Sequence, residues 1–380
     1  MKKIIHLGFF KLAAAFMALV IVFSSCTSPY DSYSGSNNNN ETGQPDVREP
    51  VFPYGDTVAG QLLWIQNYGT AGGYYIVRAY LADEIIDKTH VIGYGRRHNI
   101  TVRILGQGIG RTLSLGGPIG AMFLVEQPEG NVTLVLENIT LMGHSNNTSA
   151  LVEVNRGGAL EMRAYSVITG NTLSSIAISS SLSAGIYVRF GTITMRDNAR
   201  IHNNHGNRIG GVALSWNSIL TMRDNASIKY NHSGPFGSAG GVSAASGQVF
   251  MYDNAAIHGN TADSGTGGIV LQNASLNMLG NNVRISGNSG GFSGGVTVSW
   301  FGDSMLNISG GTIFGSVASP ELVNTGTVAA LNNLGVARVV SYTASPIGHG
   351  TFVPSTVIPS LIPSTSNTIT VRDNGTYAAW

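Results

Sequence analysis

Three aspartates of this 380-residue chain recur at one place in a repeated phrase, and stacked carboxylates are able to do chemistry. Asp197, Asp224 and Asp253 each stand two residues after a repeated methionine. Carboxylate oxygens are the ligands that Ca²⁺ prefers, so this column predicts a candidate calcium site. Each aspartate also precedes a turn asparagine, where a short polar side chain caps the backbone locally. Both interpretations stay open from the sequence.

Two tryptophans offer a second kind of candidate site. Trp216 and Trp300 both stand five residues after the second glycine of a repeated glycine pair, and Phe190 occupies the same place in an earlier copy. Aromatic rings at the end of a strand are able to stack on sugar rings. The alternative is that these rings cover a turn or the edge of a repeat.

Asparagine is the third recurring polar residue. One asparagine closes each copy of the phrase, at positions Asn171, Asn204, Asn231, Asn260 and Asn288. Asparagine tolerates the left-handed backbone of a sharp turn, and its amide can bond to stacked copies above and below. The sequence therefore predicts a structural asparagine ladder.

All of these residues belong to a repeat, which determines where they lie in the fold. The phrase has five copies whose methionines stand at positions 162, 195, 222, 251 and 278, so the steps are 33, 27, 29 and 27 residues. Each copy reads as three short alternating strands separated by turns rich in glycine and asparagine. A period in this range indicates stacked repeats. We predict an all-β fold, a right-handed parallel β-helix of about eight coils with 27–30 residues each, in which the methionine column and an isoleucine column fill the interior.

The predicted organisation has five parts. They are a lipoprotein signal peptide (1–25), a lipidated cysteine with a disordered tether (26–56), an N-terminal cap of helix plus strand (57–98), the β-helix (99–316) and irregular C-terminal strands or a cap (317–380).

The N-terminus predicts export and membrane anchoring. Lys2 and Lys3 precede an apolar run that is too short to span a bilayer. Residues 23–26, Phe-Ser-Ser-Cys, resemble a bacterial lipobox, which implies that Cys26 is lipidated and attaches the chain to a membrane. The alternative is an ordinary secretory signal with an incidental cysteine. Cys26 is the only cysteine, so no disulfide forms within the chain.

Composition and motifs narrow the possible functions. Charged residues make up 11% of the chain and the net charge is +1, so the composition shows no basic footprint for nucleic acid. The sequence carries no Ser-His-Asp set or phosphate loop, and we predict no catalytic residue. Paired carboxylates contributed by different turns remain compatible with glycoside hydrolysis. No cofactor is predicted apart from the candidate calcium ion.

The repeat phrase also resembles a known group of proteins. Met251 to Thr261, MYDNAAIHGNT, is similar to the repeats of exported bacterial proteins with pectate-lyase-like β-helices, particularly spirochaetal surface lipoproteins. The resemblance implies a lipoprotein of the outer membrane or cell surface, non-enzymatic, that binds glycans or host or matrix proteins or serves as an envelope component. The alternative function is a polysaccharide lyase or glycoside hydrolase on the same fold.

Overall fold

A computed structural model describes residues 55–95, 97–174, 183–298, 304–308 and 311–313, together with the backbone of seven short strands between residues 322 and 378. All of them belong to the compact unit Val47–Trp380. The other unit, Met1–Asp46, lies outside the described residues.

Short strands dominate the described chain, because β-branched and other apolar residues alternate with polar ones between turns. In Thr192–Met195, for example, Ile193 and Met195 are buried while the two threonines face outward. Successive turns of the chain place such strands side by side in parallel register, so they form long sheets.

The first sheet has twelve strands. In order they are Tyr74–Ala79, Ile100–Gly106, Val132–Glu137, Gly158–Arg163, Thr192–Met195, Ile219–Met222, Gln248–Met251, Ser275–Met278, Ser304–Ile308, Val328–Asn333, Thr368–Val371 and Tyr377–Ala378. The last two pair antiparallel and the others parallel.

The second sheet has ten parallel strands. In order they are Asp83–Ile86, Arg111–Leu115, Ile139–Met142, Val167–Thr169, Arg200–His202, Ser227–Lys229, Ala256–His258, Arg284–Ser286, Thr312–Ile313 and Arg338–Val339.

The third sheet has eleven strands, of which the last pairs antiparallel. In order they are His90–Ile92, Phe123–Val125, Val152–Val154, Ile186–Arg189, Val212–Ser215, Val242–Ala245, Ile269–Gln272, Val296–Val298, Leu322–Asn324, Tyr342–Ala344 and Gly350–Phe352.

The chain visits these three sheets in rotation, and it completes eight turns between Tyr74 and Val298. The all-β parallel solenoid predicted from the repeat is confirmed. Its parallel pairing starts at Tyr74, inside the segment 57–98 that the sequence predicts as a cap.

A fourth sheet adds a strand that the three-strand interpretation of the repeat does not include. Four two-residue strands pair between the second and third sheets: His205–Gly206, His232–Ser233, Thr261–Ala262 and Ser289–Gly290. The glycine pairs follow them. A Cβ atom at Gly211 would lie 2.4 Å from the carbonyl oxygen of Gly241, so the close stacking of turns here requires glycine.

The predicted interior columns are confirmed. The five repeat methionines pair with one another through the first sheet, and the isoleucines Ile168, Ile201, Ile228, Ile257 and Ile285 do so through the second. All ten side chains are fully buried. Burying a side chain of this size stabilises a fold by about 1.5–3 kcal/mol, so the stacked columns contribute much of the stability.

One helix, Val58–Tyr68, covers the start of the solenoid. Its first turn is held by Glu84, whose carboxylate accepts the backbone N–H of Val58 at 2.9 Å and of Ala59 at 3.1 Å. The Gln61 amide bonds to both backbone groups of Arg78, on the first strand of the first sheet. The helix thereby satisfies part of an edge that would otherwise be left unpaired.

Candidate binding surfaces

The asparagine ladder lies inside the solenoid. The side chains of Asn171, Asn204, Asn231, Asn260 and Asn288 are fully buried. Each backbone N–H from Asn171 to Asn260 donates to the side-chain oxygen of the next asparagine, over 2.9–3.1 Å. The side-chain amides of the last four also donate to main-chain carbonyls of the previous turn. These groups are used up within the fold, so the ladder is structural.

The left-handed backbone lies one residue earlier than the sequence analysis assumed. It falls on the residue before each ladder asparagine, at Gly170, Asn203, Tyr230, Gly259 and Gly287. The ladder asparagines themselves are free to direct their amides along the stack. Tyr230 is exceptional in this column, because a bulky residue with φ of 52° is strained where glycine is not.

The aspartate column is also brought together, at the corner between the first and second sheets. Asp197, Asp224 and Asp253 all have left-handed backbones, with φ of 53–58°. Their carboxylates accept the backbone N–H groups of Ala164, Asp197 and Asp224, respectively, over 2.9–3.0 Å. Each carboxylate thus binds the backbone of the turn before its own, a bond between turns and not the local cap that the sequence offered as an alternative.

The arginines beside these aspartates differ in their partners. Arg196 contacts Asp197 at 3.4 Å and Glu161 at 2.7 Å, whereas Arg223 lies over the ring of Tyr252 at 4.3 Å. Among the described residues, no three histidine, cysteine, aspartate or glutamate side chains are grouped so as to hold a metal ion.

Trp216 is an exposed ring at the corner between the third and first sheets, and its side-chain neighbour is Phe190. The two ring centroids lie 5.8 Å apart with planes inclined by 24°, a stacked arrangement. The residues are 59% and 49% exposed and both have left-handed backbones. The next two turns place Ser246 and Asn273 at this position. Trp300 lies outside the described residues.

Cys26, the predicted lipidation site, also lies outside the described residues. Within the part of the chain that is described, no helix has the length and apolar character needed to cross a membrane.

One further surface was not predicted from the sequence. We call it the cationic face. It is the outward side of the second sheet in turns five to eight, and it consists of Arg200, His202, Lys229, His258 and Arg284. The sequence signal was present, because each residue flanks a core isoleucine, but only the fold shows that none of them pairs with an acidic residue in the described part of the chain.

The outward side of the first sheet is organised differently, and we call it the paired face. Glu161 accepts hydrogen bonds from Arg163 at 2.6 Å and Arg196 at 2.7 Å, and Arg103 pairs with Glu137 at 2.7 Å. Burial alone raises the pKa of Glu161, but the hydrogen bonds from its two arginines lower the pKa overall.

Comparison with known proteins gives no assignment. No protein-family model matches the chain, and neither the curated proteins nor the solved structures searched contain a match.

Proposed function

We propose that this protein is a lipid-anchored, non-enzymatic β-solenoid of the bacterial cell envelope that binds glycans on the outer surface of the cell. The observation that carries the proposal is the exposed, stacked pair of Phe190 and Trp216. Large rings are ordinarily buried, and rings kept in solvent on a rigid strand end suit the apolar face of a sugar.

The backbone supports a role in binding for these rings. Phe190 and Trp216 hold left-handed conformations, at positions where the following turns use Ser246 and Asn273. A bulky side chain is costly there, and such strain persists where the surrounding structure enforces it, often at ligand sites. The lipobox-like residues before Cys26 motivate the anchor, and the tether would hold the solenoid away from the membrane.

The test exploits the repeat itself. Phe190→Ser and Trp216→Asn copy the residues that later turns carry at the same position, so the backbone is preserved while both rings are removed. The full chain and the double variant are compared for binding to an array of neutral and acidic glycans and to matrix proteins. We expect binding to neutral glycans to fall at least about tenfold, equivalent to about 1.4 kcal/mol. Phe236→Ala, which removes an 88% exposed ring elsewhere, is the matched control.

Two further readouts separate the alternatives. Product chain length, measured with and without Ca²⁺, tests for a lyase or hydrolase; shortened chains that disappear in Asp224→Ala would replace the binding proposal with an enzymatic one. Cys26→Ser should release the protein from the membrane fraction, and retention there would contradict the lipid anchor. Equal binding by the double variant and the natural chain would remove the aromatic pair as the site.

A further inference from the structure

The cationic face is built from two adjacent columns of the second sheet. The strand register aligns Arg200, Ser227, Ala256 and Arg284 in one column and His202, Lys229 and His258 in the other. Stacked parallel strands lie about 4.8 Å apart, so the two arginines are roughly 14 Å apart. The charges therefore follow a line along the solenoid.

Small, uncharged residues lie between the arginines. Ser227 and Ala256 are only 8% and 7% exposed, and they occupy the two positions between Arg200 and Arg284. Lys229 and His258 lie beside these two positions in the other column. A chain lying along the sheet would therefore contact both columns.

The positive charges of this face meet no acidic partner among the described residues. Burial lowers the pKa of His202, and Lys229 and Arg200 lower it further. Burial lowers the pKa of His258 in the same way, with Lys229 and Arg284 adding to the effect. No carboxylate in the described part of the chain forms an ion pair with any of the five groups. An anionic ligand would supply the missing partners.

Tyr230 places an aromatic ring at the edge of this surface, directly after the strand that carries Lys229. Its ring stands edge-on to His258 at 5.5 Å, and the Lys229 ammonium lies 5.4 Å from the ring centroid. A Cβ atom at Gly259 would lie 2.5 Å from the tyrosine ring, so the glycine of the next turn makes room for it. The residue is 55% exposed despite its strained backbone.

We propose that the cationic face, with Tyr230 beside it, binds an acidic polysaccharide directly, without a bridging metal ion. Arg200, Lys229 and Arg284 pair with carboxylate or sulfate groups of the sugar chain, and the tyrosine ring packs on a sugar ring. One ring beside a line of charges favours a polysaccharide over single-stranded nucleic acid, whose binding sites use several rings in succession. This site is separate from Phe190 and Trp216, so either proposal stands if the other fails.

The histidines make this binding depend on pH. His202 faces Lys229, Arg200 and the Thr169 hydroxyl, and His258 faces Lys229, Arg284 and Tyr230. Both imidazoles are neutral at pH 7.5, because their pKa values lie below the ordinary 6.5. Acidification adds up to two positive charges to the face, and a bound polyanion favours that protonation. Affinity should therefore rise as the pH falls from 7.5 to 5.5.

The experiment measures binding of the full chain to heparin, polygalacturonate, neutral dextran and double-stranded DNA, each with and without EDTA. Heparin and polygalacturonate separate sulfate from carboxylate recognition. We expect binding to at least one of them, none to dextran through this face, and no change with EDTA. Lys229→Gln should weaken that binding about tenfold, the loss of one charge-assisted contact. Arg156→Gln, an exposed charge at another corner, is the matched control and should change affinity less than twofold.

A second variant tests binding with a substitution that is expected to retain the fold. Tyr230→Gly installs the residue that its column carries at Gly259 and Gly287, so the fold is retained with less backbone strain. We expect an unchanged or higher Tm together with weaker polysaccharide binding. The proposal is overturned if Lys229→Gln and Arg156→Gln behave alike, if EDTA abolishes binding, or if DNA binds as tightly as the preferred polysaccharide.

Discussion

The paired face and the cationic face are two outer sides of one solenoid, built from the same kind of stacked strand. On the paired face, Arg163 and Arg196 share Glu161. On the cationic face, Arg200 and Lys229 have no acidic partner among the described residues. Ion pairs such as Glu161 with Arg196 join adjacent turns, whereas charges without an acidic partner can still pair with a ligand. This difference is the reason that we place the proposed ligand on the cationic face.

The largest effect is expected from breaking the asparagine ladder, because its buried hydrogen bonds join successive turns of the stack that carries both faces. Asn231→Ala deletes the acceptor of the Asn204 backbone N–H and the amide donor to the Ile201 carbonyl, and it leaves buried groups unsatisfied. Each such group costs about 1–3 kcal/mol, so we expect a loss of about 3–5 kcal/mol in the free energy of unfolding. Denaturant unfolding followed by circular dichroism measures it. Asn225→Ala, at an exposed turn, is the control and should cost less than about 1 kcal/mol.

The next substitution gives the cationic face an acidic partner, as on the paired face. Ser286→Glu introduces a carboxylate beside His258 in the strand register. We expect polysaccharide affinity to fall at least about tenfold, since the new carboxylate competes with the ligand and repels it. Titration of His258 by NMR should show a higher pKa than in the natural chain. Ser286→Gln tests size without charge, and an equal loss of affinity in that variant would refute the electrostatic explanation.

The reverse change removes a shared carboxylate from the paired face. Glu161→Gln leaves Arg163 and Arg196 without their shared carboxylate, and we expect the free energy of unfolding to fall by about 1 kcal/mol for this partly exposed network. Since the folded pKa of Glu161 is lowered, its contribution is fully present above the ordinary carboxyl pKa and is lost only as the pH falls through the lower, folded value. The variant should therefore approach the natural chain in stability only at acidic pH, once Glu161 is protonated in the folded state. A difference that persists at low pH would contradict the ion-pair explanation.

The smallest effect is the pH dependence of stability near neutrality. The folded pKa values of His202 and His258 are lowered by burial and then by Lys229. Below the unfolded value near 6.5 the unfolded chain binds more protons, so stability falls as the pH drops through that point. We expect a small decrease in Tm between pH 7.5 and pH 5.5, which His202→Gln with His258→Gln reduces. A bound acidic polysaccharide should reverse it.

The sequence predicted the parts of this protein that repeat. The methionine and isoleucine columns were visible because one residue type recurs at one spacing, and their burial requires only that turns stack. The register of the aspartates followed from the same spacing, but the contact of each carboxylate with a backbone N–H group of the adjacent turn did not. That contact joins Asp224 to Asp253, which are 29 residues apart.

The cationic face was harder to predict because it lacks a repeating residue type. Arginine, serine, alanine and arginine occupy one column, so the column has no sequence signature. The stacked pair of Phe190 and Trp216 likewise lacks a repeating residue type, since the next two turns carry Ser246 and Asn273 at that position. Which charges meet a partner depends on turns that lie far apart in the chain.

The one-directional hydrogen bonding of the asparagine ladder makes a whole turn the unit in which this protein can grow or shrink during evolution. Deleting residues 205–231 would join Asn204 to His232, and Asn204 would then donate to Asn260 as Asn231 does now. The same deletion would remove Lys229 and bring the two arginines of the cationic face one strand spacing closer. The number of turns therefore sets the distance between the two arginines. Recombination between repeats would change the charge spacing that the proposed ligand has to match, and the fold would stay the same.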